Sequence, residues 1–233
     1  MNTTASTSTA PTSSTASTLT RAAGASAVAA GVIFVGVQLG HPHLDVNTIV
    51  TTEVAVRNTL KLVMASLALV GITGMYVSQA RRNGLLGLIG YVVFAFGYLS
   101  ILCTTFVTGY VLPAIVDTDP NYVRDVLEAA SGGTAAGDIG ALGTVLRIQG
   151  FAYLAGGLLF GIALFRAGVL ARWATVLLAV GGLVSAALAV MPDAFYRLLA
   201  FPNAIALIAL GYSLWRSTTS ARQQATVATT ATS

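Results

Sequence analysis

Charge is what this sequence has least of. Only 9% of its 233 residues are Asp, Glu, Lys or Arg, against roughly a quarter in soluble domains. Hydrophobic residues make up 55% and the mean hydropathy is +0.80. A water-soluble fold cannot hide that much apolar surface, so lipid must be the solvent for much of the chain. Cysteine occurs once, as Cys103. That excludes an internal disulfide and a Cys-x-x-Cys redox pair, and within an apolar run the residue acts as a small hydrophobe. The only histidines, His41 and His43, lie outside the apolar runs, which disfavours bis-histidine haem ligation in the membrane. No acid falls deep in a run, so a buried carboxylate relay is missing as well. Metalloprotease, nucleophile-elbow, P-loop and dinucleotide fingerprints are all absent. The sequence therefore predicts no enzyme and no cofactor. The twelve basic residues are scattered singly and give a net charge of +4. They form no stripe interleaved with aromatics, which excludes nucleic acid as a partner.

What the chain does have is six apolar runs, at 22–39, 59–79, 85–112, 141–165, 169–190 and 194–215. Five reach about 20 residues, enough to cross roughly 30 Å of hydrocarbon at 1.5 Å per residue. The first is the shortest, and the Val37-Gln38-Leu39-Gly40 stretch after it makes a poor cleavage site, so it reads as a retained span. The expected architecture is an all-α integral membrane protein with six transmembrane helices in one bundle, over residues 21–216. The Ser/Thr-rich segments 1–20 and 217–233 read as disordered tails that cannot bury enough apolar surface to order themselves.

Charge fixes the expected orientation. Alternate connections hold Arg21, Arg81, Arg82, Arg166, Arg172, Arg216 and Arg222, with no acid among them. Every acid (Asp45, Glu53, Asp117, Asp119, Asp125, Glu128, Asp138 and Asp193) falls in the other connections. Positive residues stay inside. Both termini are thus expected in the cytoplasm, in a multi-pass protein of the plasma membrane surrounded by membrane lipid. On the outer side, Asp119-Pro120 reads as a helix start and Gly132-Gly133 as its end. Val123, Val126, Leu127 and Ala130 mark the apolar face of a short amphipathic outer helix between spans three and four. The Gly-rich stretch after it reads as a flexible lead into span four. A weak repeat at an offset of 90 residues relates Arg57 to Arg147.

Several residues are candidates for a site. His41, His43 and Asp45 alternate around Pro42 and are weak candidates for a transition-metal site, since further ligands would be required. Thr104 and Thr108 continue a polar stripe on span three, spaced to share one helical face, with Gln149 on span four as a polar companion. Arg57, Lys61, Arg147 and Arg197 fall near the outer ends of their spans. They either snorkel to the interface or line a vestibule for an anionic ligand, with Arg147 facing the protein interior. Gly36 with Gly40, and Gly157 with Gly161, suit close helix contact within the chain or in a homo-oligomer.

The order of features, with His41-Pro42 after span one, the Arg81-Arg82 turn and Pro113 closing span three, resembles uncharacterised bacterial multi-pass membrane proteins over about residues 20 to 216. The resemblance implies topology and carries no activity. Two functional expectations follow from the residues. One is a non-enzymatic protein that binds or transports an amphiphilic or anionic small molecule from the outer side. The alternative is a structural or accessory subunit of a membrane complex.

Overall fold

A computed structural model describes residues 12–39, 44–188 and 200–230 of the chain. The described residues are helical, with no strand among them. In chain order the helices are α1 (Thr12–Gln38), α2 (Thr52–Ser78), α3 (Ala80–Phe106), a π-helical turn (Val107–Val111), α4 (Leu112–Ile115), α5 (Pro120–Ala130), α6 (Ala141–Ala167), α7 (Arg172–Leu188) and α8 (Ala200–Thr230). Four segments are long and apolar enough to cross a membrane: Thr15–Gln38, Thr52–Ser78, Ala80–Ile115 and Ala141–Ala167. The second half of α1's predicted tail and much of the C-terminal one are helical, α1 beginning at Thr12 and α8 running to Thr230. Both segments are rich in Ser and Thr, but each extends a helix already nucleated, which removes the cost of starting one.

Six helices close into a ring. α1 packs on α2, α2 on α3, α3 on α6, α6 on α7, α7 on α8, and α8 returns to α1. Each neighbour is antiparallel to the last, as the paired positions show. Gly74 meets Ala23 and Gly71 meets Ala27 between α2 and α1. Gly24 meets Gly211 and Gly31 meets Ala204 between α1 and α8. The shared core is built from Ala23, Ala27 and Ala30 of α1, Ala65, Ala68 and Ile72 of α2, and Leu207, Leu210 and Leu214 of α8, among others.

Small residues set how near the backbones come, because in lipid there is no hydrophobic drive between helices and van der Waals fit decides. At the α3–α6 seam, glycine on one helix lets the backbone of an aromatic residue on the other come close. Gly156 faces the backbone of Phe94, Gly97 that of Tyr153 and Gly90 that of Phe160, while the side chains of these aromatics lie along the seam. Those rings join Tyr98 and Tyr91 in a tilted and edge-on cluster with centroids 5.0–6.3 Å apart, the geometry that ring quadrupoles favour. At Gly161 a Cβ would stand 2.7 Å from the Ala179 nitrogen, so this glycine does make a close helix contact, to α7. Gly36 meets nothing within 4 Å, so within the chain it lies on an open face.

The third run is helical over Ala80–Ile115 with a break at Gly84 (φ 59, ψ −162), and the uncharged 31 residues beyond the break form one rod, about 46 Å long at 1.5 Å per residue. It projects beyond the bundle. Pro113 cannot donate to the Gly109 carbonyl, and the preceding turn widens, with the Leu112 N–H bonding to Val107 O. The projecting end seats a second core, where Leu112 and Val116 pack with Val123, Val126 and Leu127 of α5 and with Ile49 and Ile139.

The helix α5 forms where the Asp119-Pro120 signal places it. Asp119 caps it by accepting from the Tyr122 N–H at 3.0 Å, with Pro120 in the first turn. Val123, Val126 and Leu127 are buried as the spacing predicts, but Ala130 is exposed and Ala129 packs in its place. The Gly-rich lead into α6 is held rather than loose. The Asp125 carboxylate accepts from the N–H groups of Ala136 and Gly137, each at 3.1 Å, and Asp138 accepts from Gly140 at 2.7 Å.

Candidate functional site

Of the predicted cationic set three are described, Arg57 and Lys61 one turn apart on α2 and Arg147 on α6. Arg57 of α2 is only 19% exposed and is fully engaged. Its guanidinium pairs with Glu53 at 3.0 Å and donates to the carbonyls of Val37 and Leu39, at 3.1 and 3.0 Å. The last carbonyls of a helix have no partner within it, and Arg57 supplies one for α1 from the next helix. Lys61 lies one turn further along α2, half-buried. Arg147 is exposed on α6 and makes no hydrogen bond or ion pair with the described residues, so the expectation that it faces the interior is not met. Its neighbours Ile148 and Phe151 are 48% and 74% exposed. A long Arg side chain can reach from there to the interface, which removes the need for an internal counter-ion. Arg197 lies outside the described residues, as do His41 and His43. Asp45 turns its carboxylate to the N–H groups of Asn47 and Thr48, both at 2.8 Å, and so closes a turn. Among the described residues no three His, Cys, Asp or Glu side chains group as a metal site.

The polar stripe on α3 serves its own helix. Ser100, Thr104 and Thr108 donate to the carbonyls of Phe96, Ser100 and Thr104, at 2.9, 3.0 and 2.9 Å. Such back-bonding satisfies a hydroxyl without any ligand. Thr104 is also 2.7 Å from Gln149 Oε1, which ties α3 to α6. A threonine hydroxyl has one proton. While it bonds to Ser100, the Gln149 amide must turn its NH2 toward Thr104, the oxygen and nitrogen positions being interchangeable by a flip.

The opposite end of the bundle holds a site that sequence reasoning missed. The α2–α3 connection is a single residue, Gln79, which is at once the C-cap of α2 and the N-cap of α3. The turn leaves a partly open cavity of about 570 Å³, lined by Val77, Ser78, Gln79, Ala80, Arg81, Arg82 and, across from them, Val169. Pockets of this size hold small molecules. Arg81 and Arg82 are exposed and make no hydrogen bond or ion pair with the described residues. Gln79 is 3% exposed; its Nε2 donates to Met75 O at 3.2 Å, while its Oε1 has no partner. Close by, Asn83 is 5% exposed with neither amide atom partnered. Gly84 follows with φ +59, a left-handed backbone that suits glycine alone.

Three other arginines at this end lie over aromatic rings. Arg21 sits 5.9 Å from the Trp215 centroid, Arg172 5.6 Å from Phe165 and Arg216 5.7 Å from Tyr212. Ring faces are negative and hold a cation where no carboxylate is at hand. The only sequence signal for the cavity is the Arg81-Arg82 pair, which orientation alone accounts for. The buried Gln79 carbonyl leaves no trace in a hydropathy profile.

No protein family, curated protein or solved structure matches this chain.

Proposed function

We propose that the protein crosses the plasma membrane six times, with both termini and the Arg81–Arg82 turn in the cytoplasm. There it binds, without transforming, an anionic amphiphilic molecule. The observation that carries the reading is the cavity at the α2–α3 turn. Two arginines with no partner among the described residues line it, at an end of the molecule whose connections contain no acid. An unpaired guanidinium pair offers a fork of donors matched to carboxylate or phosphate oxygens. The six-span reading is supported by α7 and α8, which pack antiparallel in the same ring as the four long apolar helices. The non-enzymatic reading is supported by the lining itself. Its one hydroxyl, Ser78, donates to the Met75 carbonyl at 3.0 Å and has no base beside it. The binding end is then cytoplasmic rather than the outer vestibule that the cationic set had pointed to.

The test is native mass spectrometry of the purified full chain. Anionic lipids or amphiphiles should remain bound to the wild type and be lost from R81Q/R82Q, with zwitterionic lipids unaffected. Retention of anionic species by the double variant would refute the reading.

One observation favours the accessory-subunit alternative. The outer half of α6 presents Arg147, Ile148 and Phe151 with Gly150, which meets nothing within 4 Å. A partner helix would cover that face. Cross-linking from a photoreactive residue at Phe151 should then yield a protein adduct, and lipid adducts alone would dismiss the alternative.

A further inference from the structure

We propose that the single helical turn formed by residues 80–83 is a gate over the cavity at the α2–α3 connection, hinged at Gly84, which swings away from the bundle and back. The gate is a property of the fold and stands whatever the cavity binds.

The hinge is a break in the backbone. Gly84 takes φ 59 and ψ −162 between two helical pieces, so the turn before it is not continuous with the rod that starts at Leu85. Nothing lies within 4 Å of where a Gly84 side chain would stand, which leaves room for rotation there. Little holds the turn shut. Ala80, Arg81 and Arg82 are all exposed, so the turn buries no apolar side chain. Segments with few buried apolar contacts are the first to open. Its one buried side chain is Asn83, at 5% exposure, and neither amide atom has a partner among the described residues. Asn83 is seated against Gly87, whose missing side chain leaves the space it fills.

Gln79, at the start of the turn, adds a third atom of the same kind, its Oε1. All three atoms are shut off from water and from any ligand while the turn is closed. A buried polar group without a partner loses its hydration and gains nothing in exchange. Swinging the turn outward hydrates these groups, so they work against the closed state. Two backbone bonds oppose the swing, from the Arg82 and Asn83 N–H groups to Gln79 O at 2.8 and 3.0 Å, and they break when the turn leaves Gln79. Gln79, Ala80, Arg81 and Arg82 are four of the seven residues that line the cavity, with Val169 across from them. The moving turn is thus one wall of it. Opening admits a molecule from that end of the bundle, closing encloses it, and Arg81 and Arg82 travel with the wall.

The test is hydrogen exchange of the detergent-purified full chain, resolved at single amides by mass spectrometry and corrected for intrinsic rates. In the wild type, the Arg82 and Asn83 amides should exchange orders of magnitude faster than rod amides such as those of Phe94 and Gly97. Asn83→Leu exchanges the unpartnered amide for an apolar group of similar size. It should slow both amides roughly tenfold or more, the factor that such a buried group represents. Gly87→Ala places a methyl in the seat of Asn83 and should speed both. The Ala136 and Gly137 amides, held by Asp125 at the other end of the molecule, should change in neither variant. Wild-type amides as slow as those of the rod would overturn the gate. So would unchanged or faster exchange in N83L, because a turn that merely frays does not sense the polarity of residue 83. If N83L misfolds, which altered Ala136 and Gly137 amides would reveal, G87A decides, and unchanged or slower exchange there overturns the gate.

Discussion

The two ends of the bundle handle charge in opposite ways. At the end that carries α5, the charged groups whose contacts are resolved mostly complete the protein's own backbone. Arg57 closes the α1 terminus, Asp119 caps α5, and Asp45, Asp125 and Asp138 each hold a turn or the Gly-rich lead. A second hydrophobic core sits beneath them. At the Arg81–Arg82 end the connections are short, the acids are missing, and the described arginines either lie over rings or have no partner among the described residues. A charge that finishes a helix terminus is a structural part. A charge left open at a cavity is available to something outside the chain. The residue type is the same in both places, and only the company it keeps distinguishes Arg57 from Arg82.

The largest effect expected from breaking this comparison concerns which end faces which compartment. In a C103S background, a cysteine at Gly133 should react with an impermeant thiol reagent on intact cells. One at Ala80, exposed at the turn, should react only after permeabilisation. The reverse pattern would place the open arginines outside and remove the cytoplasmic binding reading with it.

Next in size is the packing that both ends share. Gly161→Leu forces a side chain where a Cβ already stands 2.7 Å from backbone, whereas Gly150→Leu enters open space. Overpacking of this kind costs about 3 kcal/mol or more when the backbone must move. The yield of folded protein in detergent should fall sharply for the first variant and little for the second. Similar yields would mean that α6 and α7 are not packed as described.

A smaller contrast sharpens the comparison directly. Arg57→Gln removes charge-assisted bonds to Glu53 and to two carbonyls, and should destabilise by about 2 kcal/mol. Arg82→Gln removes no contact, and should stay within about 0.5 kcal/mol. Thermal unfolding in a detergent free of anionic lipid measures both; equal losses would erase the distinction between the ends. The smallest effect is at the α3–α6 seam. Thr104→Val deletes the link to Gln149 and should cost about 0.6 kcal/mol, the average for such bonds between membrane helices.

These results also mark what a reading of the residues could reach. The long apolar helices were legible because hydropathy accumulates over twenty residues, and α5 because Asp119 and Pro120 act within one turn of its start. The role of Arg57 was not, since its partners are the carbonyls of Val37 and Leu39, and a carbonyl has no sequence signature. Arg147 was misplaced for a related reason. A composition shows that a cation stands in a span, but the face it takes depends on whether α3 and α7 leave that side of α6 open. The cavity escaped notice because Gln79 looks like any polar turn residue until its burial is known. Of the candidate stripe, the spacing of Thr104 and Thr108 was legible, and their preference for their own helix carbonyls needed coordinates.

The π turn of the third rod carries a consequence for register. Along α3 the buried positions advance by threes and fours: Asn83, Gly87, Gly90, Phe94, Gly97 and on to Thr104. Continued at that step, the inward positions would be Thr108, Val111 and Ile115. The residues actually buried are Gly109, Leu112 and Val116. One extra residue in the widened turn has advanced the phase by a single position, about 100° of rotation. The turn therefore acts as a phase adapter between a rod that faces α6 and a tip that faces α5. A one-residue deletion within Val107–Val111 would remove the extra residue and restore ordinary winding while Leu112 and Val116, each moved back one position, stay on the face of the second core.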